Sequence, residues 1–188
     1  MMIRAVFDAC VLYSASLRDF LLRLAEDRLV DPLWSGEIQD EWTRNLLQNR
    51  PDLEPEKLER TRREMEFHLP HGLVYGHESL IPTLSLPDPN DRHVLAVAIH
   101  AKAEYIVTFN LKHFPNTILQ PYNIEAVSPD EIVVQIIQKK PNHLITTVRN
   151  HRLSLKRPPK SVDEYLATLE KQGLPKTVAF LRKHGADI

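Results

Sequence analysis

The stretch SLPDPNDRHVLAVAIHAKAEYIVTFN, residues 85–110, decides the class of fold. Asp88 stands at a helix cap, Pro89 at the first helical position and Asp91 at the third, which is a strong local signal for a helix start. Val94, Val97, Ala98 and Ala101 then recur at helical spacing, and Tyr105 to Phe109 follows as a buried run of strand formers stopped by Asn110. Upstream, Ile3 to Phe7 reads as a buried strand ending at Asp8. Downstream, Ile124 to Val127 reads as a third strand, and Ser128-Pro129-Asp130-Glu131 repeats the cap, proline and acid pattern. Strands alternating with helices predict an α/β fold with a parallel sheet covered on both faces.

The remaining segments fill in around that alternation. Leu17, Phe20, Leu21 and Leu24 mark a helix, with Asp31-Pro32 expected to close it. Ser35 can cap the next, in which Ile38, Trp42 and Leu46 recur every four residues, and Pro55 opens a charged helix running to about Phe67. Gly72 to Leu86 has turn residues around a few apolar positions and stays ambiguous. From Lys139 to Lys160 there is no Asp or Glu; the capping box Ser161-Val162-Asp163-Glu164 then starts a last helical pair, divided at Gly173-Leu174-Pro175. The expected organisation is residues 1–127 as an α/β domain and 128–188 as a helical extension.

Composition narrows the function classes. With 43% hydrophobic and 26% charged residues, the 188-residue chain reads as soluble and globular rather than disordered. A net charge of -1 gives no global pull toward nucleic acid, so RNA would need a local basic patch, for which Lys139 to Lys160 is the best candidate. The single cysteine, Cys10, excludes an internal disulfide and a Cys-rich zinc site, and is expected to be a small buried residue rather than a nucleophile. Asp8 interrupts the first apolar run too early for a signal peptide, and no apolar stretch approaches membrane-spanning length, so a cytoplasmic protein without a membrane partner is expected. Five glycines, none spaced for a phosphate loop or dinucleotide fingerprint, argue against nucleotide-binding enzymes. His68, His71 and His77 are too irregularly spaced for a zinc pattern and read as a solvated turn.

The acids carry the chemistry. Open parallel sheets bind ligands beyond the carboxyl ends of their strands. Asp8 ends the first strand, Asn110 follows the second, Asp88 and Asp91 open the helix between them, and Glu41 lies on the border of an apolar helical stripe. Two like charges about 4 Å apart repel by roughly 4 kcal/mol at an effective dielectric near 20, a cost that a divalent cation removes. An all-oxygen donor set favours Mg²⁺ or Mn²⁺, and such a site suits phosphodiester hydrolysis without a protein nucleophile. Each acid also has a plainer explanation. Asp88 is a good cap, Asp91 answers the helix dipole, and Glu41 could be as solvated as its neighbours Glu37 and Asp40. Asp8 is the hardest to explain by packing.

Four stretches together resemble the PIN-domain family, over roughly residues 3–128. These are Phe7-Asp8-Ala9-Cys10-Val11-Leu12, Trp34 to Trp42 with Glu41, Leu86 to Ala96 with Asp88 and Asp91, and Ile106 to Phe114. Asp163-Glu164-Tyr165-Leu166 and Gly173-Leu174 resemble the extension of one subgroup. The resemblance implies a Rossmann-like α/β/α sandwich and a metal-dependent endoribonuclease acting on single-stranded RNA. It also implies service as the VapC-type toxin of a type II toxin–antitoxin pair, with a protein antitoxin and a homodimer as partners. By position, Asp8, Glu41 and Asp91 are the implied catalytic, metal-binding acids, with Asp88 and Asn110 auxiliary. Two departures stand out: Cys10 occupies a position that is often Asn, and His113 one that is often Asp. The first predicts a missing hydrogen bond to Asp8. The second leaves His113 either a substitute ligand or, in the reading favoured here, a surface residue. A PIN nuclease of RNA maturation or DNA processing, and a degenerate PIN fold that only binds RNA or a partner, stay open as alternatives.

Overall fold

A computed structural model describes residues 2–188. Four parallel strands form one sheet in the order β2-β1-β3-β4: β1 (Ile3–Phe7), β2 (Val30–Leu33), β3 (Tyr105–Val107) and β4 (Glu125–Val127). The two central strands are the apolar runs of the sequence, and Ala5, Val6, Phe7, Ile106 and Val107 are fully buried. A strand covered on both faces needs continuous rather than alternating hydrophobicity, which these runs have.

Between β1 and β2 lie the short α1 (Ala9–Leu12) and α2 (Ala15–Glu26); α3 (Gly36–Asn49) and α4 (Pro55–His68) follow. A further helix, α5 (Arg92–His100), leads into β3, and α6 (Asn116–Leu119) leads toward β4. Ser35 caps α3 by accepting from Ile38 N–H, and Ser128 caps α7 (Pro129–Lys139) by accepting from Glu131 N–H. Such a hydroxyl satisfies one otherwise unpaired N–H and contributes about 1 kcal/mol. After α7 come α8 (Pro141–Ser154), α9 (Val162–Lys171) with the complete capping box at Ser161 and Glu164, and α10 (Pro175–Arg182).

Several expectations change. Asp31-Pro32 does not close a helix; it lies inside β2, paired with Arg4 and Ala5. Proline is tolerated there because β2 is an edge strand, where an N–H on the outer side has no ladder partner to lose. The strand expected at Tyr105–Phe109 stops at Val107, and Asp88-Pro89-Asn90-Asp91 opens with a 3₁₀ turn (Pro89–Asp91) before α5 begins. The ambiguous 72–86 segment holds a bridge of Leu73 to Trp34 and a 3₁₀ turn at Glu78–Thr83. A Cβ on Gly72 would lie 2.7 Å from the Trp34 ring, so that bridge requires glycine.

The last helices pack on the rest of the chain. Tyr165, Leu166, Leu169, Val178 and Leu181 are buried, with α8 and α9 against α2 and α10 against α7 and α9. Their apolar stripes are therefore covered internally and give no support to a partner surface or a homodimer. Asp130, in the cap, proline and acid pattern that opens α7, is buried and accepts from Lys176 N–H, Thr177 N–H and the Thr177 hydroxyl, capping α10. Part of the basic run is also structural: Arg152 donates to the carbonyls of Lys160 and Ile188, and Lys160 donates to Thr168. Among the described residues no helix is long and apolar enough to cross a membrane.

Candidate metal centre

Asp8 is where strand β1 runs out of ladder and the chain turns into α1. It caps that helix, its Oδ1 accepting from Ala9 N–H at 2.7 Å. Its Oδ2 accepts from the Thr108 hydroxyl at 2.6 Å and from the Cys10 thiol at 3.2 Å. Only 3% of the residue is exposed, so these donors replace water around a buried carboxylate. The hydrogen bond expected to be missing at Cys10 is thus present, though from a weaker donor than an amide. Burial, and then the neighbouring Asp8 charge, push the Cys10 thiol up to about 12, so it stays protonated and is no nucleophile.

Two 3₁₀ turns bring the other groups in. Asp88 accepts from Asn90 N–H at 2.9 Å and so shapes the turn that ends at Asp91. Leu111–His113 forms the second turn, and His113 Nδ1 lies 2.7 Å from Asp91 Oδ2 and 3.9 Å from Asp88 Oδ2. One ligand atom each from Asp88, Asp91 and His113 lies within 4.8 Å of the other two. His113 is not a free surface residue; it faces the acids. Burial raises the Asp91 pKa above its ordinary value. The hydrogen bond with His113 opposes that, and the charges of Asp8 and Asp88 add to it. The Asp8 charge therefore acts on the same carboxylate that His113 touches, at the carboxyl edge of the sheet.

Asn110 takes part through its backbone: its N–H donates to the Thr108 hydroxyl, and its carbonyl accepts from His113 N–H. Glu41 lies outside the close group. Its Oε2 is 3.3 Å from His93 Nε2, on the first turn of α5, two residues beyond Asp91. The neighbouring Glu37 is not merely solvated, for His77 Nε2 lies 3.2 Å from it and His93 Nδ1 3.9 Å. His77 itself is buried rather than part of a solvated turn. The structure thus gathers Asp88, Asp91 and His113, leaves the Asp8 charge acting on Asp91, and ties Glu41 to an imidazole. Thr108 was overlooked in the sequence, and His113 was weighed there but favoured as a surface residue. A hydroxyl placed one residue beyond a central strand, opposite Asp8, was the available signal for the first.

A cluster of carboxylates with one imidazole is a donor set that Mg²⁺ and Mn²⁺ accept. The acids also carry more negative charge than His113 alone can balance, which is the physical reason for a cation here. The donors present fit the group.

The PIN domain family profile matches residues 4–112, and the profile described as the VapC50 C-terminal domain matches residues 129–183. A protein of Mycobacterium tuberculosis (strain ATCC 25618 / H37Rv) named "Putative ribonuclease VapC50" is 45% identical over 69 residues, covering 35% of this chain and 40% of that relative. The match therefore spans less than half of the relative's length. No solved structure matches.

Proposed function

This chain belongs to the PIN-domain family, and from that premise we propose that it is a divalent-metal-dependent endoribonuclease of the VapC type, cutting single-stranded RNA as the toxin of a type II toxin–antitoxin pair. The observation that carries the reading is the meeting of Asp88, Asp91 and His113 at the carboxyl edge of the sheet, with the Asp8 charge acting on Asp91 and the acids in excess of the imidazole. The name of the M. tuberculosis relative and the match of the extension support the VapC assignment. Residues 1–127 carry the chemistry in this reading, and 128–188 form the extension.

Asp8, Asp91 and Glu41 would hold the Mg²⁺ or Mn²⁺, with Asp88 auxiliary. When bound, such an ion neutralises charge on a phosphate and lowers the pKa of water. The chain's own groups prepare the place. Thr108, Cys10 and Ala9 fix the Asp8 carboxylate before any ligand arrives. The imidazole of His113 orients Asp91 and can hold or release a proton at Nδ1. In this reading Glu41 must leave His93 to join the acids.

The test is a cleavage assay with labelled single-stranded RNA, with and without EDTA, on the purified chain and on Asp8→Asn. Metal-dependent cleavage lost in the variant is the expected result, and cleavage that survives EDTA overturns metal dependence. For the toxin assignment, expression alone should arrest growth through Asp8, and the product of the adjacent upstream gene should bind the chain and restore growth. Harmless expression of an active enzyme, with no partner recovered, leaves a plain nuclease.

A further inference from the structure

We propose that Phe109 is a stacking platform for one nucleobase of the single-stranded substrate, held in place by the C-terminal extension. This inference rests on the ribonuclease reading above. Residues 108–113 form a loop anchored to the acids at both ends, since Thr108 donates to Asp8 and His113 meets Asp91. Between those anchors stands Phe109, 47% exposed although the residues before it are fully buried. A flat ring facing water on a tightly held loop beside the acids is a surface on which a base can stack.

Phe109 does not dangle. Its N–H donates to the Cys10 sulfur at 3.3 Å, which ties its backbone to the partner of Asp8. Its ring rests on Gly173, between α9 and α10, where an added Cβ would lie 3.4 Å from the ring edge. Gly173 has φ +82, so the left-handed turn favours glycine, and the ring packs against it at van der Waals distance. Next to it, Gln172 accepts from the Ser14 hydroxyl, which ties the same turn to the segment between α1 and α2. One side of the ring is thus supported by the extension and the rest is open. Every base has a π face, so such a platform accepts single strands with little sequence preference and refuses a base still paired and stacked in a duplex. It would set where along the strand a phosphate meets the acids.

The test uses the full chain carrying Asp8→Asn, so that RNA stays intact, and short single-stranded RNA with one 2-aminopurine. Binding should quench the fluorophore, and adding Phe109→Ala should remove the quenching and weaken binding roughly ten- to a hundredfold. Phe109→Leu keeps apolar bulk against Gly173 but has no π face, so it should behave like Phe109→Ala, while Phe109→Trp should bind at least as well as Phe109. Circular dichroism and melting temperature show whether each variant is folded. A folded Phe109→Leu that binds and quenches like the parent overturns the proposal, as does equal weakening of single-stranded and fully duplex RNA. Failure of the parent to bind or cut any single-stranded RNA instead sinks the ribonuclease reading, which separates the two failures.

Discussion

Two groups of acids and histidines differ in their charge balance, and the difference indicates which acids need a metal. At the sheet edge, Asp88 and Asp91 share a single imidazole, His113, and the Asp8 charge also acts on Asp91. On α3, Glu37 and Glu41 have His77 and His93, each pair at 3.2–3.3 Å. The second group can balance itself, whereas the first is left with an excess of carboxylate. Asp91 and His93 are two residues apart, so the groups share a backbone, and Glu41 sits on the border between them.

The largest expected effect falls on the unbalanced group. Asp8→Asn keeps the shape but removes the charge, and cleavage should drop by roughly two orders of magnitude or more with the fold retained. Single-turnover rates and far-UV dichroism measure both, and undiminished cleavage by clean Asp8→Asn protein removes Asp8 from the site.

Glu41 tells whether the two groups are separate. If it leaves His93 for the metal during turnover, Glu41→Gln should cost about ten- to a hundredfold in rate and weaken metal affinity, while His93→Ala costs much less. Equal, small effects of both substitutions would assign Glu41 to the paired group and leave the chemistry to Asp8, Asp88 and Asp91.

His113 sharpens the same contrast at smaller scale. Imidazole nitrogen favours Mn²⁺ over Mg²⁺, so Mn²⁺ should support faster cleavage, and His113→Asp should narrow the ratio several-fold. Rates titrated with each ion read this directly; a ratio unchanged by His113→Asp places the imidazole outside the metal's reach.

A separate acid–histidine pair, between α2 and α8, is the control. His151 is buried, with Nε2 at 2.9 Å from Asp19 and Nδ1 at 2.7 Å from the Tyr165 hydroxyl. The carboxylate only accepts, so Nε2 carries a proton, and the pair joins α2 to the extension. The hydrogen bond from His151 lowers the Asp19 pKa, against the effect of burial. A depressed carboxylate stabilises the fold above its unfolded pKa, about 3.9, and that contribution is lost as pH falls through the lower folded value. Asp19 is 63% exposed, so water screens the pair and Asp19→Asn should cost about 1 kcal/mol or less. Urea midpoints at neutral pH and near pH 3 should converge in the variant, and cleavage at neutral pH should be unchanged.

Sequence alone determined whatever depends on near neighbours. The apolar runs at Ile3–Phe7 and Ile106–Val107, the caps at Ser35, Asp88, Ser128 and Ser161, and the end-of-strand acid Asp8 are all local patterns, because hydrogen-bonded turns and buried faces close within a few residues. Pro32 misled for the same reason: its meaning depends on whether the strand has a neighbour on its outer side, which only the finished sheet decides. The tertiary structure alone placed Thr108 on Asp8 across 100 residues, His113 on Asp91, Glu41 on His93, and Asp130 at the start of α10. A polar side chain can meet several partners at comparable cost. Its choice is made when the chain closes and water leaves, since only then does an unpaired group become expensive.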